Sequence, residues 1–264
     1  MSKMAGGLAR MPIPRSLRPA CWATLAKRLG IPREEIPGRW QDYRSFLDLF
    51  TRPLPEGSRP LPEGHAWLSP ADGKVEEAGG LTPEGSWWIK GTPYANSELL
   101  PGTTGLALGG YQAVQIYLSP RDYHRYHAPC AMEVLEAHTG AGGLQPVDPA
   151  LVRPSMKVLA RNRRIFLHCR SDEGSPFFML FVGALNVGGM RFLFDPTLGR
   201  PPWRDGRRHY DPPPRLEAGE EMGQFELGST ILMVVPPERR LLLAAGNPCR
   251  AREPLFSGGP ETEH

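Results

Sequence analysis

Three stretches hold side chains that could do chemistry. "SPADGKV" (69–75) carries Asp72 in a Pro-Ala-Asp-Gly turn. Asp-Gly commonly ends a strand, and a turn aspartate often bonds only to its own backbone. "SPRDYHRYHAP" (119–129) carries His124 and His127, three apart, between an apolar run and a proline. Histidines so spaced can bind zinc, but a third ligand is needed and none is marked, so no metal is expected. "FELGSTILMVV" (225–235) carries Ser229 and reads as one strand broken in the middle. Gly228, Ser229 and Thr230 stand where a buried strand wants bulk. A bulge or bend would explain them; so would chemistry at the Gly228–Ser229 peptide bond.

Asp72, His127 and Ser229 together make an acid, an imidazole and a hydroxyl. The acid orients the imidazole, the imidazole takes the hydroxyl proton, and the oxygen becomes a nucleophile. No Gly-x-Ser-x-Gly elbow is present. The nearest carbonyl is that of Gly228, which glycine leaves open to the hydroxyl.

These residues need a scaffold. Gly and Pro, 30 each, exceed a fifth of the 264 residues, which argues for short strands joined by turns. Residues 113–119, 163–169, 177–185, 191–194, 230–235 and 240–245 are short apolar runs and predict strands. Residues 16–30 predict an amphipathic helix with Leu17, Trp22, Cys21, Leu25 and Leu29 on one side and Arg18, Lys27 and Arg28 around it, stopped by Gly30. Such a stripe can lie in a membrane interface or pack on the domain. Residues 42–50 hold Tyr43, Phe46, Leu47 and Phe50 at helical spacing, 51–64 form an extended Pro-rich loop, and 195–214 read as a mobile, Arg-rich loop or disordered insert. Lys74 and Lys90 adjoin the motifs, and the tail 257–264 reads as disordered. The expected fold is α+β, mostly β: a compact sandwich-like domain (51–264) behind a helical, membrane-associating segment (1–50). A net charge of +3 does not suggest a nucleic-acid partner. Four scattered cysteines suit a reducing compartment. No stretch approaches a bilayer span and no secretory signal is apparent.

"ADG" (71–73), "IKG" (89–91), "YLSPRDYHRYHAP" (117–129) and "GEEMGQFELGST" (219–230) resemble, in order and separation, the motifs of the phosphatidylserine decarboxylase family. "YRSFLDLFTRPL" (43–54) is similar to the segment before that family's catalytic domain. The resemblance implies a self-made cofactor. Ser229 would attack the Gly228 carbonyl, activated by Asp72 and His127. An ester and then a dehydroalanine would follow, and loss of ammonia would leave a pyruvoyl group at position 229. The products would be a large chain, 1–228, and a small chain, 229–264. The pyruvoyl would hold the substrate as a Schiff base and act as the electron sink when carbon dioxide leaves. His124 is the candidate for protonating Cα.

The resemblance thus implies phosphatidylserine as substrate, phosphatidylethanolamine as product and a membrane surface as partner, at the cytoplasmic face of the cell membrane. The two halves of one precursor are partners of each other, and a homodimer is a further arrangement the reading admits. Two rivals stand beside it: a serine hydrolase using Asp72, His127 and Ser229 on an outside ester, and a non-catalytic lipid-binding relative.

Overall fold

The computed structural model describes residues 7–64, 66–82, 86–89, 91–103, 106–148, 151, 156–184, 189–226 and 229–257, with Ser229 as backbone only. Gly228, Lys90, the side chain of Ser229 and the tail from 258 onward therefore lie outside the described residues.

In chain order the strands are β1 (Trp67–Leu68), β2 (Gly73–Gly80), β3 (Ser86–Ile89), β4 (Thr92–Ala95), β5 (Gln112–Leu118), β6 (Arg125–His127), β7 (Met132–Ala141), β8 (Arg163–Ser171), β9 (Pro176–Gly183), β10 (Met190–Phe192), β11 (Gly206–His209), β12 (Arg215–Leu216), β13 (Glu221–Phe225), β14 (Ser229–Val235), β15 (Pro248–Cys249) and β16 (Pro254–Phe256). Helices include α1 (Arg18–Leu29), α2 (Phe46–Phe50), α3 (Asn96–Leu99) and α4 (Val158–Arg161). A nine-stranded sheet runs β11-β7-β8-β9-β14-β5-β2-β15, with β12 also on β7; β10-β13-β6 form a second sheet, and β1–β16 and β3–β4 are pairs.

The apolar runs are continuous because the large sheet is covered on both faces. Ile116, Met179, Phe181, Ile231 and Met233 share a core with Tyr126, Phe192 and Phe225 of the three-stranded sheet. Phe178, Leu180, Leu232 and Val234 pack instead with Trp87, Ile89 and Tyr94 of the β3–β4 pair and with Leu159 of α4. This is the expected sandwich.

Several local expectations change. Residues 225–235 are not one broken strand: β13 ends in the small sheet at Phe225 and β14 opens in the large sheet at Ser229. The break is a crossover between layers. The run 240–245 forms no strand: it makes an isolated bridge from Leu241 to Phe256, flanked by bonds from the Leu242 amide to Leu255 and from the Ser257 amide to Arg240. The segment 195–214 is structured: it contains β11, which pairs with β7, and β12 follows on the same edge. Within it Asp195 accepts bonds from the Thr197 amide (3.0 Å), the Thr197 hydroxyl (2.7 Å) and the Tyr210 hydroxyl (2.8 Å).

The N-terminal helix forms as its spacing predicts, and Gly30 closes it in the left-handed region at φ 75°. Its stripe, however, is largely occupied. Trp22 and Ala26 are buried with Ile31, Ile36, Tyr43 and Leu49, while Leu25 and Leu29 pack partly against them. The Trp22 indole donates to the Tyr43 carbonyl at 2.8 Å. The exposed large apolar side chains at this end are Leu8, Met11 and Leu17. Of residues 42–50 only 46–50 are α-helical, because Ser45 caps the helix and exchanges bonds with Asp48.

Candidate active site

Four chain segments meet at one end of the large sheet. Asp72 ends the turn that opens β2. Lys74 pairs with Tyr117 on β5, and a Cβ on the preceding Gly73 would stand 2.4 Å from the Tyr117 carbonyl oxygen. Only glycine permits that approach. β14 starts at the same end, with Ser229 opposite Leu118 of β5 on one side and Gly183 of β9 on the other. β5 ends at Leu118, and the next turn is fixed by the Ser119 amide and hydroxyl donating to Asp122, both at 2.7 Å. That turn delivers Tyr123 and His124. The His124 carbonyl accepts the Phe225 amide at 2.9 Å, and the His127 amide donates to Pro70 at 2.8 Å. The histidine motif is thereby stitched to both the chain entering β14 and the Asp72 turn.

Both imidazoles have a defined tautomer. His127 Nδ1 faces the Gly219 carbonyl at 3.0 Å, so it carries the hydrogen, and Nε2 accepts from the Tyr123 hydroxyl at 3.1 Å. His124 Nδ1 donates to the Asp122 carbonyl at 2.8 Å; its Nε2 is a buried lone pair without a hydrogen-bond partner among the described residues. Burial holds both rings neutral, with pKa pushed down to about 3 for His124 and about 4 for His127. The nearby Arg252, Arg125 and Arg59 further disfavour charge on His127.

Asp72 does not orient the His127 ring here; the Gly219 carbonyl does. The carboxylate of Asp72 accepts instead from Arg59 Nε (3.1 Å) and from the Ala251 amide (2.8 Å). Arg59 also binds Glu35 at 2.8 Å, and fully buried Arg52 bonds the Glu35 carbonyl at 3.1 Å. The Phe50 ring lies 3.8 Å, centroid to centroid, from His124. The N-terminal segment is thus part of the site's framework. Lys74 is paired with Glu76 on the surface at 3.2 Å.

Just upstream of the crossover, buried Glu226 is clamped between Arg10 and Arg191, and its amide donates to Gly189 at 2.9 Å. Arg59, Arg52, Phe50 and Glu226 are absent from the sequence-based site, because nothing in a Pro-rich loop or a strand end marks an ion-pair partner. Tyr123 was within reach, since it lies inside the histidine motif. Among the described residues no group of three His, Cys, Asp or Glu side chains is placed to hold a metal ion.

Fold and site define a class: a strand-rich protein that gathers an acid, two neutral imidazoles and the start of a central strand at one sheet end. Residues 46–257 match the phosphatidylserine decarboxylase family, and the chain belongs to that family. It is 34% identical over 241 residues to the phosphatidylserine decarboxylase proenzyme of Helicobacter pylori strain Shi470, covering 89% of this chain and 88% of that one. With the proenzyme of Anaeromyxobacter sp. strain K it shares 36% over 265 residues, 97% of this chain and 93% of the relative. With that of Chromobacterium violaceum it shares 38% over 200 residues, 74% and 70%.

Proposed function

We propose that this chain is a proenzyme that cuts itself between Gly228 and Ser229, and that the two-chain product decarboxylates phosphatidylserine to phosphatidylethanolamine. The observation that carries the reading is the meeting of the Asp72 turn, the histidine motif and the backbone entering β14 at one sheet end. Family membership supports it.

In self-cleavage the base is His127 Nε2, whose lone pair is exposed to chemistry because Nδ1–H is spent on Gly219. The Ser229 hydroxyl proton passes to the Tyr123 oxygen as the Tyr123 proton passes to Nε2. The serine oxygen then bonds to the Gly228 carbonyl carbon, the Gly228–Ser229 C–N bond breaks and the nitrogen takes up the proton, leaving an ester. A base then takes the Ser229 Cα proton as the Cβ–O bond breaks and the Gly228 carboxylate leaves; a proton is returned to Cβ, and water adds to the resulting C=N carbon and expels ammonia, leaving the ketone. Asp72 is clamped by Arg59, and its charge acts on the Tyr123 hydroxyl, favouring the protonated form that gives its hydrogen to Nε2.

A pyruvoyl group at position 229 would fit the surroundings: the strand it opens is paired with both β5 and β9 from Thr230 onward, and among the described residues the buried Nε2 of His124 has no hydrogen-bond partner. When present, that group supplies the electron sink for the carbanion left by carbon dioxide. His124 supplies the proton traffic. Its neutral Nε2 takes a proton from the incoming ammonium and returns it to Cα after carbon dioxide departs.

The substrate is a lipid, so contact with the cytoplasmic face of the cell membrane belongs to the reading. Leu8, Met11 and Leu17 are exposed among Arg10, Arg15 and Arg18, and among the described residues no helix is long and apolar enough to cross a membrane.

Intact mass measurement tests the proposal. Wild-type protein should appear as two chains and Ser229→Ala as one, and borohydride with phosphatidylserine should trap the amine on the small chain. An intact wild-type chain labelled by a fluorophosphonate would make it a hydrolase; an intact, unlabelled chain would make it a binding relative.

A further inference from the structure

The outer edge of the large sheet carries a second charged feature. A cleft of about 220 Å³ opens where the 195–205 segment folds over Ala137 and Thr139 of β7, with Arg200, Arg204, Arg207 and Arg208 around it. Two of these arginines are spoken for: Arg207 Nε donates to Glu136 at 3.0 Å, and Arg208 pairs with Asp195 and donates to the Thr197 hydroxyl at 2.7 Å. Asp205 accepts the Ala141 amide at 2.7 Å. Arg200 and Arg204 are exposed and form no ion pair among the described residues.

Neighbouring strands add positive charge. The Arg163 guanidinium stacks over Trp203 at 5.5 Å. Arg164 lies flat across Gly140, where a Cβ would be 2.9 Å from its side chain, and burial pushes its pKa down while Asp205 opposes the shift. The Nε atoms of both arginines are buried without hydrogen-bond partners among the described residues. Of the four arginines that line the cleft, Arg207 and Arg208 are matched by Glu136 and Asp195, so Arg200 and Arg204 supply its positive charge beside Asp205. The cleft is preformed: Gly199, at φ 74°, lies so close to β10 that a Cβ would stand 2.4 Å from the Met190 carbonyl oxygen.

We propose that this cleft binds the phosphate of an anionic phospholipid headgroup, as a lipid contact separate from the candidate active site. Arginine forks match phosphate oxygens in geometry as well as charge. The membrane, rather than a soluble phosphate, is the source favoured by position. β11 begins at the sheet end where β5 terminates and β14 begins, since Gly206 pairs with Thr139, Thr139 with Ile165, Ile165 with Phe181 and Phe181 with Ile231. A surface met by that end is met by both sites. The cleft is three to four strand spacings from β14, about 14–19 Å, too far for one headgroup to occupy both.

The test uses full-length Ser229→Ala protein, uniform in covalent state, with phosphatidylcholine vesicles containing or lacking phosphatidylglycerol. Substrate is absent, so the outcome does not depend on the decarboxylase reading. R200Q/R204Q should weaken binding to the anionic vesicles by about tenfold to thirtyfold, leave neutral vesicles unaffected and melt like the parent. R170Q/R240Q removes the same charge at the opposite sheet end and should change binding less than threefold. R200K/R204K should recover part of the loss. Equal losses in the R200Q/R204Q and R170Q/R240Q proteins would overturn the proposal, since net charge alone would then explain binding. So would unchanged vesicle binding by R200Q/R204Q together with its loss of inorganic phosphate binding, which would make the cleft a soluble-phosphate site.

Discussion

Two histidines three residues apart have different surroundings, and the proposed roles follow that difference. His127 presents Nε2 to a tyrosine hydroxyl, whereas the His124 ring lies against Phe50 and its buried Nε2 has no hydrogen-bond partner among the described residues. His127→Ala and Asp72→Asn are therefore expected to accumulate uncut chain. His124→Ala should still split yet release little labelled carbon dioxide from phosphatidylserine. Blocked splitting in His124→Ala with normal splitting in His127→Ala would reverse the assignment. Tyr123→Phe should slow splitting at least tenfold if the hydroxyl relays the proton; an unchanged rate on a denaturing gel would remove Tyr123 from the path. The pH dependence has a definite sign. Both folded pKa values lie below the ordinary histidine value near 6.5, at about 3 and about 4. As pH falls, the unfolded chain takes protons first. The stability from the neutral rings is complete above about pH 6.5 and is lost toward pH 4, on the order of 3 kcal/mol for His127 alone. Melting temperature should fall across that window, and less steeply in His127→Gln. Splitting, which needs only the neutral ring, should hold its rate down to about pH 5.

At the scale of elements, the N-terminal segment has a buried face and an exposed one. The buried face of α1 holds Trp22 in a small core, so Trp22→Ala should cost about 3–5 kcal/mol in denaturant unfolding. The exposed Leu8, Met11 and Leu17 are the ones left for a bilayer. Replacing all three with Glu should lower vesicle co-sedimentation without shifting the unfolding midpoint by a comparable amount. Equal pelleting would confine this segment to its framework role, fixing Asp72 through Arg59 and His124 through Phe50. The start of β2 makes a similar point: Gly73→Ala would push β2 from β5 at the Asp72 turn. It should leave an uncut chain with near-native circular dichroism.

For the molecule as a whole, the proposed cut falls where the chain crosses from the small sheet to the large one. β14 then opens the small chain while remaining between β5 and β9, with registered partners along its length on both sides. β15 and β16, from the same chain, pair with β2 and β1. The two products should therefore co-elute as one particle in gel filtration and separate only in denaturant. Dissociation in native buffer would mean that the central strand does not hold the halves together.

The sequence by itself determined the materials: which apolar runs become two-faced core strands, where α1 starts and stops, and which motifs mark the family. Periodicity, capping residues and motif order are local, so they can be read without a fold. It did not reveal β2 or β7, whose glycines and outward charges dilute the apolar signal. Nor did it reveal that residues 225–235 change sheets. Tertiary structure alone decided that Gly219 rather than Asp72 orients His127, that Arg59 from a Pro-rich loop clamps Asp72, and that the stripe of α1 faces inward. Each depends on which distant atoms come within hydrogen-bonding or packing distance, and side-chain partners far apart in sequence leave no local pattern.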